Sequence, residues 1–263
     1  MTTIQELPFR PRDRAVYLPD ADALVLADLH LGKGEAAAVE LPLTGRVVER
    51  VDSLVGWCDP ATVVLAGDVL HSFSRVTAAV VDSFADLRTR LVDAGVDLRV
   101  VAGNHDACLE SLCEAADGER GPGTDTAGPA DGTGSAAAAE PVDAVAPVDA
   151  HRVADGTLVC HGHEAPEEEA ERYVVGHDHP AIVIEGRRRP CYLYGEGVYR
   201  GADVVALPAF NPLATGTAVN RLSRGDPSSP LLEDVRAFRP IVRDETADET
   251  YVFPPLGASK PYL

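Results

Sequence analysis

Five short runs of this sequence carry side chains that bind metals or move protons. In chain order they are Asp28-Leu29-His30, Gly67-Asp68, Gly103-Asn104-His105-Asp106, His161-Gly162-His163 and Gly176-His177-Asp178-His179. Seven of the eight histidines fall in or beside these runs, and only His151 stands apart. Core packing does not cluster histidines in this way. Mixed carboxylate, imidazole and amide donors suit borderline divalent metals such as Mn, Fe or Zn better than a thiolate site or an all-oxygen calcium cage. A carboxylate has two oxygens, so one Asp can bridge two ions about 3.5–4 Å apart, the spacing used for in-line displacement at phosphorus.

Each run also has a plain structural reading. A single D-x-H fits a hydrogen-bonded polar pair at a strand end, and Gly-Asp is a common turn. G-N-H-D fits a tight turn with a capping Asp. In G-H-D-H, alternate residues of an extended segment point the same way and could share a metal cluster. The order of the five runs and their placement after successive strands favour the chemical reading.

The elements that must position them follow from hydrophobic spacing. Residues 23–27 (ALVLA), 62–66 (TVVLA) and 98–102 (LRVVA) read as buried strands. Between them, Val47, Val48, Val51, Leu54 and Val55 recur at helical spacing, as do Val76, Ala79, Val80, Phe84, Leu87 and Leu91. Strands alternating with helices predict βαβ units and a largely parallel sheet, with ligands at the carboxyl ends of the strands. After residue 150 the texture turns to β. Residues 151–153 and 157–160 flank Asp155-Gly156, a hairpin signal, and 181–185, 191–194 and 203–207 follow as short strands. Two sheets packed face to face with helices outside are expected. Residues 115–148 are rich in Gly, Ala, Pro, Asp and Thr, with little bulky apolar content, and read as a disordered acidic insert.

A chain of 263 residues with 45% hydrophobic content fits one large α/β domain spanning 1–263. No apolar run is long enough to span a membrane and the N-terminus lacks an apolar leader, so a cytoplasmic location is expected. Five cysteines without a C-x-x-C pair read as reduced thiols. The net charge is −19, with two lysines, Lys33 and Lys260, among 23 basic residues. That balance suggests a halophile, whose acidity reports its solvent. Acidity otherwise argues against a nucleic-acid partner, but concentrated salt screens the repulsion.

These residues resemble the calcineurin-like metallophosphoesterase superfamily, with its pattern D-x-H, G-D, G-N-H-[DE], H and G-H-x-H. Within it, DLHLGK at 28–33, GDVLHS at 67–72, GHDHPA at 176–181, RPC at 189–191 and LPAFNPLATG at 207–216 look like one branch. That branch holds archaeal ICC-like phosphoesterases and bacterial DNA-ligase-associated phosphoesterases. The resemblance implies a four-layer α/β/β/α sandwich of two mixed β-sheets. It implies that Asp28, His30 and His179 hold one metal, that Asn104, His161 and His177 hold a second, and that Asp68 bridges them. Both would be divalent ions, with Mn2+ the leading candidate and Fe, Zn or Ni alternatives.

The same resemblance implies that the ions activate a shared water for attack on phosphorus. His105 would protonate the leaving oxygen, oriented by Asp106. His163 is a candidate donor behind the metals. His71 and Arg75 could contact substrate phosphate, though a helix-end His and a solvated Arg explain them as well. Asn211 resembles a position near the active site, or is a turn former. Arg187, Arg188 and Arg189 could attract a phosphate backbone or cap an exposed hairpin. The expected function is hydrolysis of phosphodiester bonds, with DNA or RNA as candidate substrate. A phosphomonoesterase or cyclic-nucleotide phosphodiesterase is the alternative, and a non-catalytic scaffold is disfavoured because every ligand position is filled.

Overall fold

The computed structural model describes residues 7–33, 43–71, 76–118, 145–222 and 227–259. Two mixed sheets pack face to face. The first holds β1 (Arg10–Arg12), β2 (Ala15–Leu18), β3 (Ala23–Leu26), β4 (Thr62–Ala66) and β5 (Asp97–Val101), in that order. β3, β4 and β5 are parallel, and β1 and β2 form an antiparallel ribbon on their edge. The second sheet has β6 (Ala150–Arg152), β7 (Leu158–Cys160), β8 (Arg172–Val175), β11 (Tyr192–Tyr199), β12 (Ala202–Ala206), β14 (Arg239–Asp244) and β15 (Glu249–Val252). Its centre is also a parallel trio, β7, β8 and β12. The small remaining sheet pairs β9 (Pro180–Ile184) with β10 (Arg187–Pro190) and β13 (Thr217–Ala218).

Strand alternation splits the apolar residues between two cores. Val25, Ala27, Val64, Ala66 and Val101 face Val159, Val174, Tyr192 and Val205 in the layer between the sheets. Leu24, Leu26, Val63, Leu65, Leu98 and Val100 point the other way, onto the helices. Those helices are α1 (Leu43–Cys58), α2 (Ala78–Asp93) and α3 (Leu109–Gly118). The Thr77 side chain caps α2 by accepting from the Val80 N–H, so Val76 precedes the helix rather than opening it. The outer face of the second sheet is covered by 3₁₀ turns around Leu231, Leu232 and Val235 and by α4 (Leu256–Ser259).

The predicted insert is narrower at both described ends than composition suggests. Residues 115–118 are the last turn of α3, because Ala116 extends the buried stripe of Leu109, Leu112 and Cys113. At the other end, the Val148 N–H donates to the Val100 carbonyl and the Ala102 N–H donates to the Val148 carbonyl, forming a bridge beside β5. The rest of the insert, 119–144, lies outside the described residues. The Asp155-Gly156 hairpin joins β6 to β7 as expected, with Gly156 at φ +82°.

Candidate metal centre

All five motifs meet at one edge of the sandwich. Asp28 and His30 follow β3, Asp68 follows β4, and Asn104 and His105 follow β5. His161 follows β7, and His177 and His179 follow β8. Six parallel strands, three from each sheet, thus end at the same place, and Phe210 and Asn211, beyond β12, close the ring. Hydrogen bonds continue past the strand ends. The N–H groups of Asp28, His30 and Leu31 donate to the carbonyls of Gly67, Asp68 and Val69, and the Gly176 N–H to that of His161.

The turns that aim these side chains are unusual. Asp28, His30, Asp68, His177 and His179 have φ of +59°, +43°, +48°, +68° and +45°. Left-handed backbone costs on the order of 1 kcal/mol at a residue with a side chain, and persists where surrounding structure imposes it. The adjacent glycines are required by contact. A Cβ on Gly103 would lie 2.2 Å from the Asp68 nitrogen, and one on Gly67 would lie 2.3 Å from His161 Nδ1.

Ligand atoms of Asp28, His30, Asp68 and His179 all lie within 4.8 Å of one another. His179 Nε2 is 3.1 Å from Asp28 Oδ1 and 3.4 Å from His30 Nε2. Burial pushes the Asp28 carboxyl up, yet the His179 hydrogen bond and the nearby imidazoles prevail and hold it low. Burial pushes His30 and His161 down to about 4, so both are neutral at pH 7. Asp28 Oδ2 is buried without a hydrogen-bond partner.

A second cluster sits beside the first. His161 Nε2 is 3.0 Å from Asn104 Oδ1, 3.2 Å from His177 Nδ1 and 3.4 Å from Asp68 Oδ1. Tautomers follow from what lies behind each ring. His161 Nδ1 faces the Ala66 carbonyl at 3.2 Å and must carry the proton, so Nε2 is a lone pair. Ser228 Oγ donates its one proton to Asp178 Oδ1 at 2.8 Å, so it accepts from His177 Nε2 at 3.1 Å. His177 Nδ1 is then a lone pair too. Two nitrogen lone pairs facing each other across 3.2 Å, with two carbonyl-type oxygens alongside, repel unless a cation lies among them. The residues present therefore fit a pair of divalent ions, one per cluster, with Asp68 belonging to both.

Asp178 and Ser228 escaped selection from sequence. Asp178 lies inside the G-H-D-H run, but Ser228 is 50 residues further on, in a stretch with no ligand spacing, and only tertiary contact reveals it. Backbone N–H groups of Ser228 and Ser229 also donate to Asp178, at 2.9 and 3.0 Å. Ser228→Ala should release the His177 ring and weaken the second ion about 10- to 100-fold, leaving the first in place. Stepwise manganese titration against a competing chelator reads both constants, and two unaltered constants would refute the tautomer assignment.

The other candidates sort by position. His105 Nε2 lies 3.9 Å from Asp68 Oδ2 and its side chain is 30% exposed, so it faces both the cluster and solvent. The Asp106 carboxylate accepts N–H groups of Val69, Leu70 and Gly103, joining two metal loops. His71 packs edge-on to His30 at 5.8 Å on the open side, where the nearby Lys33 charge helps lower its pKa after burial. His163 lies against the rings of His161 and His177. The Asn211 amide donates to the carbonyls of Leu29 and His30, and its oxygen accepts from the Leu213 N–H, so it clamps the Asp28 loop from behind. Arg75 lies outside the described residues. Arg187, Arg188 and Arg189 form an exposed strand of the β9–β10 hairpin. A cavity of about 570 Å³ flanks the second cluster, walled by Gly103, His161, His163, Asp149, Glu164, Glu167 and Glu168.

Comparison with known proteins agrees on the family and the fold. The sequence profile of the calcineurin-like phosphoesterases matches residues 22–213. The crystal structure of the Pseudomonas putida nuclease MPE superposes with a TM-score of 0.61 at 21% identity, covering 93% of this chain and 100% of that one. No curated protein matches the chain.

Proposed function

The chain belongs to the calcineurin-like phosphoesterase family, and from that premise we propose that it cleaves phosphodiester bonds in a nucleic acid strand. The observation that carries the chemistry is the two adjoining clusters of imidazole, carboxylate and amide groups that share Asp68. Asp28, His30 and His179 would hold one divalent ion, Asn104, His161 and His177 the other, and Asp68 both. Such a pair supplies an activated water and offsets charge on the phosphoryl oxygens. His105, reaching over Asp68 from the solvent side, delivers a proton to the leaving oxygen. Asp106 keeps the His105 loop in register with the Asp68 loop. Manganese is the ion we propose, since the mixed N and O donors accept it readily.

The nucleic acid substrate is supported by a fold shared with a solved nuclease and by clusters that open to solvent beside His105 and His71. A cytoplasmic setting in concentrated salt is part of the proposal, motivated by the net charge of −19. Among the described residues no helix is long and apolar enough to cross a membrane. The deciding experiment is manganese-supplemented turnover in high salt of bis-p-nitrophenyl phosphate, p-nitrophenyl phosphate and a single-stranded oligonucleotide. Diester and oligonucleotide turnover should exceed monoester turnover. Dominant monoester hydrolysis with an intact oligonucleotide would replace the nuclease reading with a phosphomonoesterase.

A further inference from the structure

Arg14, Arg46 and Arg50 surround a second cavity of about 300 Å³, walled also by Asp13, Asn211 and Pro212. It lies at the same edge as the metal ligands. Arg14 precedes β2, and because Val16 pairs with Val25, it sits beside the end of β3 that runs into Asp28. Arg46 and Arg50, one turn apart, stand in the N-terminal half of α1. Asn211 belongs to both places. Its amide clamps the Leu29 and His30 carbonyls, while its own carbonyl accepts from Arg14 at 3.1 Å.

Positive charge is in excess here. Arg50 grips both Asp13 oxygens, at 2.7 and 2.8 Å, and donates to the Phe210 carbonyl at 2.7 Å. Arg14 donates to the Ala209 and Asn211 carbonyls. Among the described lining residues Asp13 is the one carboxylate, with Glu245 accepting its backbone N–H from outside the lining, and Arg46 is exposed on the cavity rim. Burial, and then the charge of Arg50, lower the pKa of Arg14, a pressure that an anion would relieve. The cavity on the opposite flank bears Asp149, Glu164, Glu167 and Glu168 and would repel phosphate. The two flanks of the metal centre are thus oppositely charged.

We propose that the arginine cavity holds a phosphate of the substrate strand other than the one being cleaved, with Arg46 as its available donor between the fixed Arg14 and Arg50. This rests on the reading of the substrate as a nucleic acid. Bis-p-nitrophenyl phosphate has a single phosphate and cannot fill both places.

The test compares Arg46→Glu, Arg46→Ala and Arg46→Lys with the unaltered chain. Arg14 and Arg50 are left alone because they hold backbone carbonyls. With Arg46→Glu, kcat/KM on an oligonucleotide should fall by about tenfold or more beyond any loss on bis-p-nitrophenyl phosphate, and Arg46→Lys should recover most of it. For Arg46→Ala, the slope of log affinity against log salt should flatten by about 0.7. Equal losses on the two substrates, where the unaltered chain cleaves the oligonucleotide, would overturn the cavity assignment and leave the nuclease reading standing. An unaltered chain that cleaves only the small diester would overturn both. Weaker inhibition by inorganic phosphate with oligonucleotide cleavage intact would reassign the cavity to a free anion and overturn the strand assignment.

Discussion

If the proposed reading holds, His105→Ala should keep both metal ions and lose turnover on an oligonucleotide by about 10²- to 10⁴-fold, the range expected when a positioned general acid is removed. The metals should stay because the hydrogen bond that His105 gives Asp68 comes from its backbone, while its ring makes only an edge-on contact with His30. The N–H donates to Asp68 Oδ1 at 2.9 Å, and an alanine retains it. The imidazole, 3.9 Å from Asp68 Oδ2, makes the longer and more exposed approach. The loss should depend on the leaving group. A nitrophenol departs as a stable anion and needs little protonation, whereas a sugar hydroxyl departs only with a proton. The deficit should therefore be smaller on bis-p-nitrophenyl phosphate than on the oligonucleotide. Equal deficits, or unchanged oligonucleotide turnover, would show that the proton comes from elsewhere.

Asp68→Ala has the larger expected effect on binding. Its Oδ1 lies 3.4 Å from His161 Nε2 in the second cluster, and the same carboxylate is within reach of Asp28, His30 and His179 in the first. Removing it should leave fewer than two ions per chain under manganese that saturates the unaltered protein, and turnover below detection. Asp68→Asn can still accept the His105 N–H through its carbonyl, which separates loss of bridging charge from collapse of the loop. An alanine variant that retained two ions would sink the shared-ligand assignment.

Electrostatics of the same residue set a pH dependence. Burial pushes the Asp68 carboxyl up to about 7, reinforced by the charges of Asp28 and Asp106 and opposed by the His105 N–H. A carboxyl raised in the folded state favours folding when protonated, so its contribution is full below its unfolded pKa near 3.8 and is lost as pH rises through about 7. Metal binding displaces that proton. The gain in Tm from manganese should accordingly be larger at pH 8 than at pH 5.

The candidate ligands stood out in the sequence because seven of the eight histidines cluster in or beside short motifs that follow successive strands. The strands ending at Leu26, Ala66 and Val101 were legible as continuous apolar runs. β1, β2, β14 and β15 were not: β1 and β15 are short edge strands with little alternation to read, and β2 and β14, though inside their sheets, carry apolar runs of only a few residues. Ala116 fell within the insert read from residue 115 onward and is in fact buried in α3.

The sequence by itself determined which residues can coordinate a metal and that they follow successive strands, because residue type and local spacing are written in one dimension. Only the tertiary structure decided that Ser228 lies against the His177 ring, that Asn211 clamps the Asp28 loop, and that Arg14, Arg46 and Arg50 share one cavity. Those facts depend on contacts across tens to nearly two hundred residues, and such proximity is created by sheet register and packing, which no local pattern encodes.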